Sequence, residues 1–130
     1  MAGVRKLRGK NSPWAVGPWD VSFTIGAETT SRNVALQFHG NDGAIVVQAY
    51  LSNDEDGDSI LTTAPTGTVV IGTDGVILAD LVAKKAFLLK TDVDGKVDLT
   101  ITESGAKDMY LAVVMADGSL VVSPIISFAG

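Results

Sequence analysis

Apolar residues in this chain recur mostly at every second position, the spacing of half-buried β-strands. In Asp20–Ile25 the side chains of Val21, Phe23 and Ile25 fall on one face and those of Ser22 and Thr24 on the other, as expected of a strand with one wet side. Residues 34–39 repeat the alternation, Asn41, Asp42 and Gly43 read as a turn, and residues 45–51 read as the returning strand of a hairpin. Residues 52–67 form a polar, acidic loop broken by Pro65 and Gly67, after which 68–71 and Val76–Val82 resume the pattern on either side of Thr73, Asp74 and Gly75. Leu78, Leu81, Val82 and Lys85 also fit a helical spacing. That run is short and lacks a helix stop, so a strand is expected there, with a single helical turn as the alternative.

Lys96–Thr102 has the cleanest alternation in the chain. Its apolar set, Val97, Leu99 and Ile101, is expected to join Val21, Phe23 and Ile25 in one core between two antiparallel sheets. Residues 109–115 and 120–128 are apolar on both faces, which predicts either central strands or an interface. Pro124 has no amide hydrogen and requires an edge or a bulge in the last strand.

Asp-Gly occurs five times, at 42–43, 56–57, 74–75, 94–95 and 117–118. Gly accepts positive φ and Asp tolerates it, so these pairs predict tight turns of primed type between paired strands. Many short strands separated by such turns predict an all-β fold, an immunoglobulin-like antiparallel β-sandwich of about seven to nine strands. Residues 1–19 show neither period and contain both Trp, three Gly and two Pro. They predict an extended N-terminal arm preceding one domain over residues 20–130.

Charge sharpens this division. The net charge is −5, but Arg5, Lys6, Arg8 and Lys10 place four cations before residue 12, which leaves −9 for the remainder. An acidic body argues against nucleic acid as a partner, whereas a short basic arm suits either a loose end or a strap on an acidic neighbour. Trp14 and Trp19 each carry about 150–250 Å² of ring surface that needs cover. Arg5, Lys6, Arg8, Lys10, Trp14 and Trp19 are therefore the candidate partner-binding residues. No apolar run approaches the roughly 18 residues of a membrane span, and the basic start lacks the apolar region of a secretory signal. A soluble protein made in the cytoplasm is expected.

Chemistry is scarce. With no Cys and one His, thiolate catalysis, Cys-ligated metals and multi-His metal sites are excluded. His39 ends an alternating strand on its outward side, and no nucleophile elbow of the G-x-S-x-G type occurs. A surface role for His39 outweighs a triad, and neither catalytic residues nor cofactors are expected. The acidic stretch 53–58 invites comparison with a calcium loop, but aligning Gly57 with the sixth loop position puts Ser52 first and Thr63 twelfth, where acidic ligands belong. Asp92, Asp94 and Asp98 likewise make only a partial set, with Asp98 expected on the solvent face of its strand.

The segment from Thr91 to Thr102 with its Asp94-Gly95 turn, followed by Gly105 and by Tyr110 to Val114, resembles the later half of bacterial and phage immunoglobulin-like domains. Tyr50 to Asp54, Ala64-Pro65, Ile71 to Gly75 and Val121 to Ser123 extend the likeness to small virion-structural proteins of tailed bacteriophages, of capsid decoration or cement type. It covers about residues 34–129, leaving the arm outside. The resemblance implies a non-enzymatic subunit on the outer capsid surface that stabilises the shell, with the major capsid protein or other virion proteins as partners. A homo-oligomer is expected, a trimer if it follows the threefold positions of a capsid. The alternative is a tail-fibre or head-fibre adhesion module for host-surface carbohydrate.

Overall fold

A computed structural model of the chain describes residues 20–40, 43–115 and 117–130. Ten strands are present among them: β1 (Asp20–Ile25), β2 (Ser31–His39), β3 (Val46–Ser52), β4 (Val69–Ile71), β5 (Val76–Val82), β6 (Ala86–Lys90), β7 (Lys96–Thr102), β8 (Ala106–Val114), β9 (Leu120–Val122) and β10 (Ile126–Ala129). One sheet has the order β1-β2-β7-β4, the other β10-β8-β3-β6-β5 with β9 also on β8, and every pairing is antiparallel. The all-β sandwich is as the alternation predicts.

Connections depart from the sequence reading. β2 and β3 are not a hairpin: β2 lies between β1 and β7, while β3 lies between β6 and β8 in the other sheet. The Asp42-Gly43, Asp74-Gly75 and Asp94-Gly95 pairs all fall where the chain changes sheets, and of the five only Asp117-Gly118 joins strands that pair with each other, β8 and β9. All five glycines have positive φ, yet Lys84 is the sole non-glycine with positive φ among the described residues. Asp56, Asp74, Asp94 and Asp117 therefore do not sit at the centre of type I′ turns, which need positive φ at both central residues.

What forms instead is a turn closed by a left-handed Gly. The Gly95 amide donates to the Asp92 carbonyl and the Asp92 amide to that of Lys96, while the Gly118 amide donates to Met115, the pattern of a turn that ends in a glycine bulge. Such a turn kinks the chain, which suits a step between sheets.

Pro124 acts as expected, splitting the last apolar run into β9 and β10. Ser123 compensates at the break, its hydroxyl accepting the Leu111 amide at 2.9 Å and its own amide donating to the Leu111 carbonyl. The Leu78 region is strand rather than helix. It ends at a turn in which Lys84 takes φ 61°.

The core lies between the sheets. Val21, Val97, Leu99 and Ile101 are buried in it beside Phe38, Phe87, Phe128 and Leu111, and Phe23 and Ile25, on an edge strand, are partly buried against it. Of the two readings of residues 109–115, β8 fits the central one, flanked by β3 and by β9 and β10. Met109, Leu111, Val113 and Met115 fill the core, while Ala112, on the opposite face, is also fully buried. Its cover comes from this chain: a Cβ on Gly57 would stand 3.4 Å from that of Ala112 and 3.3 Å from Val122. The loop after β3 thus folds back over the outer face of the larger sheet, and the surplus apolar residues of β8 are consumed internally.

Truncating Leu99 in this packed centre should lower unfolding free energy by about 2–5 kcal/mol. Thr100→Ala, facing outward one residue away, should change it by less than about 1 kcal/mol. Urea denaturation of the two variants checks the assignment of faces.

Candidate functional site

Buried carboxylates come first in any search for chemistry, and here both are occupied. Asp98 is on the outer face of β7, as expected, but it is buried rather than solvated, with 6% of its surface exposed. The amides of Thr73 and Asp74 donate to it at 3.0 and 2.6 Å, and the Asn33 side-chain amide at 2.7 Å. Burial pushes its carboxyl up, but these donors outweigh burial and hold it below the usual value. Glu103, just past β7, accepts from the Thr66 amide and hydroxyl and from the Gly105 amide, and its carboxylate is 3.5 Å from Lys107. It too is held low, burial opposing and the hydrogen bonds prevailing. Groups with so many fixed donors are structural braces.

Beside Asp98, the outer face of the smaller sheet carries a polar groove of about 370 Å³, lined by Ser22, Thr24, Asn33, Gln37 and Lys96 among others. Near its edge Ser22 Oγ is 2.9 Å from His39 Nε2. This is nucleophile-to-base distance, but both groups are exposed, His39 at the end of β2, and among the described residues no carboxylate forms an ion pair with His39. The amides of β1 and β2 face each other in the ladder. Among the described residues, neither an orienting acid nor a free pair of oxyanion donors stands beside this pair.

The acidic loop brings Asp54, Asp56 and Asp58 together, with carboxylate oxygens within 4.8 Å of one another. Asp54 Oδ1 accepts the amides of Asp56 and Asp58, and the Ser59 hydroxyl reaches Oδ2. The Asp58 amide is the largest cause of its lowered pKa. The carboxylate of Asp92 closes its own turn in the same geometry, accepting the amides of Asp94 and Lys96. Each of the two D-x-D-G stretches that resemble partial calcium loops uses its first Asp to close a turn. Tyr50 secures the acidic loop by donating its hydroxyl hydrogen to the Gly57 carbonyl.

The strongest interaction feature is apolar. On β5, Val76, Leu78, Leu81 and Val82 are each about half exposed, and Val46 on β3 is 52% exposed. Register puts Val46, Lys90 and Val76 in one row and Tyr50, Ala86 and Val82 in another. Val47, Ala49 and Leu51 point into the core, so these rows face outward on the larger sheet. Leu78 lies two residues from outward Val76 and faces the same way, while two register shifts, between Ile77 and Ala79 and between Asp80 and Val82, break the alternation before Leu81, which is also exposed. Strict alternation would put Leu81 on the face opposite Val76 and Leu78, and the bulges break the period on which that reading depends.

The candidate residues Arg5, Lys6, Arg8, Lys10, Trp14 and Trp19 lie outside the described residues, as does the whole arm. No helix among the described residues is long and apolar enough to cross a membrane. Compared with models of known protein families and with curated proteins, the chain matches none.

The two braces set a pH dependence. Because their folded pKa values lie below the ordinary 3.8 of Asp and 4.5 of Glu, their contribution is present above those values and disappears as pH falls through the folded ones. Unfolding free energy should hold from neutrality to about pH 5 and decline below about pH 4. Asp98→Asn should destabilise by about 1–3 kcal/mol at pH 7 and flatten that decline. Gly72→Ala should cost a similar amount, about 1–3 kcal/mol, because its methyl would collide with the Asp98 carboxylate and approach Asn33. Denaturation at a series of pH values measures all three.

Proposed function

We propose that this chain is a non-enzymatic structural protein of a tailed-phage virion, a capsid decoration or cement subunit that binds the outer capsid surface and stabilises the shell. The observation that carries the reading is the outward apolar surface of β5 and β3 on a sandwich whose buried carboxylates are spent on bracing loops. A protein built this way offers surfaces rather than a reaction centre. An immunoglobulin-like assignment is supported by the skeleton: β1-β2-β7 facing β10-β8-β3 matches the A-B-E and G-F-C strands of such domains, although β4, β5 and β6 connect differently. Arg5, Lys6, Arg8, Lys10, Trp14 and Trp19 are the arm contacts, the cations steering to an acidic surface and the Trp rings supplying buried area. The subunit is made in the host cytoplasm, assembles as a homo-oligomer with a trimer favoured, and uses neither nucleic acid nor membrane.

An adhesion module for host-surface carbohydrate is the second reading. The groove of Ser22, Thr24, Asn33, Gln37 and Lys96 favours it, since sugars need dense hydrogen-bonding groups, but among the described residues no aromatic platform lines that groove. Titration with host-surface glycans that gives saturable heat, lost in Lys96→Ala, would place the protein in this class.

Mass spectrometry of purified particles should find the protein enriched over host lysate. Deleting residues 1–12 should leave the fold intact and weaken particle binding. Trp14→Ala should weaken it while leaving its salt dependence nearly unchanged, because that substitution removes contact area rather than charge. Equal decoration by the truncated and full-length chains across a salt series would remove the arm from the docking role.

A further inference from the structure

The apolar rows on β3, β6 and β5 need an occupant, and the edge of β5 is unsuited to strand addition. Two bulges in seven residues and the exposed Asp80 disrupt the flat row of backbone groups that a paired strand requires. Contact must therefore be through side chains on the outer face. That face has two zones. Near the end where Val46, Lys90 and Val76 align it is apolar around one cation. Farther along β3, past Tyr50, the folded-back loop contributes Asp54, Glu55, Asp56 and Asp58.

We propose that this face receives residues 1–19 of a second copy of the chain, Trp14 against Val46, Val76 and Leu78, and the Arg5, Lys6, Arg8 and Lys10 group against the acidic loop. Spacing on both partners agrees. Val46 and Tyr50 are separated by about 13 Å along a strand, and the loop lies just beyond. Lys10 is four residues and Arg5 nine residues from Trp14, which is about 13–30 Å of extended chain. Charge agrees as well, with four cations meeting four carboxylates, and Lys90 in the apolar zone can lie over an indole face.

Geometry favours a neighbour over the chain's own arm. Asp20 begins β1, at the edge of the smaller sheet opposite β4, while β5 is the outermost strand of the other sheet. Three strand spacings give about 14 Å sideways and the sheet separation about 10 Å more, before the outer surface is reached. Six residues from Asp20 to Trp14 span at most about 22 Å, and the direct line passes through the sandwich. A neighbouring copy has no such obstacle, and one arm and one acceptor face per copy allow a closed ring.

This extends the assembly reading, but its test uses the purified full-length protein without particles, so failure here and failure of capsid binding are separate results. Trp14 and Trp19 are the only Trp residues, so their fluorescence reports the arm directly. Emission should shift to the red and acrylamide quenching should rise severalfold on dilution, in step with the loss of oligomer seen by sedimentation. Val76→Ser with Leu78→Ser should produce the exposed signal at every concentration, and Glu55→Lys with Asp56→Lys should abolish most of the salt sensitivity. Val70→Ser, also exposed and apolar but on β4 of the smaller sheet, should behave as wild type, with circular dichroism confirming the fold of each variant. Trp protection in a monomer at all dilutions, protection that survives the Val76 and Leu78 changes, or fully exposed Trp in a wild-type protein that never associates would each overturn the proposal.

Discussion

The sandwich depends on one strand, β7, holding a neighbour too short to hold itself. β4 has three residues, fewer than a typical strand of about five or six, yet the chain must cross between sheets on both sides of it. Carboxylates at the two ends of β7 solve this. Glu103 fixes Thr66 before β4, and Asp98 fixes Thr73 and Asp74 after it. Backbone bonds from Gly67 to Thr102 and from Gly72 to Asp98 continue the ladder beyond the strand's formal ends. Each carboxylate exchanges water for several amide donors, so the net gain per bond is modest but leaving a donor bare would be costly. Connectivity is thereby set by two side chains.

Fixing β4 also decides what the larger sheet exposes. With the crossing held, β5 must begin at Val76, directly after the Gly75 turn, and it becomes the outer edge beside β6. A second loop, closed by Asp54 and held by Tyr50, covers β8 and β9 but stops short of β6 and β5. The polar contacts that organise the loops thus divide one sheet face into a covered part and an open apolar part. Lys84 and Lys85 contribute at the far end of β5, donating to the carbonyls of Pro65 and Thr62, so cations near that edge serve the loop below β4.

Much of this fold is legible in the chain because period-two burial is a local signal. Val97, Leu99 and Ile101 declare their face without reference to any other strand, and Pro124 declares its break by lacking an amide. Pairing is not local. Residues 34–39 and 45–51 look like a hairpin because a short turn-forming stretch separates them, but the same stretch can step between sheets, and only the competing partners β7 and β8 decide which. Asp98 shows the same limit. Its outward position follows from alternation, whereas its burial requires Thr73 and Asp74, some 25 residues away, to fold over it. The open face of β5 was hidden for a different reason: two register shifts between Ile77 and Val82 interrupt the periodicity that a sequence reading uses.

Those bulges can be understood as protection rather than defect. A regular edge strand carrying Val76, Leu78, Leu81 and Val82 would combine free backbone groups with apolar side chains, the pairing that promotes unselective strand addition. Bulging separates the two hazards: the backbone loses the even spacing needed for addition, while the side chains remain available to a partner that recognises them by shape. For the docking proposed above, selectivity would have to come from elsewhere on the same face, and the carboxylates of the neighbouring loop would supply it, because an apolar segment without cations would have to approach them uncompensated. On the docking proposed above, an arm carrying both Trp and a basic cluster would match both zones, so that one sequence would encode arm and acceptor together.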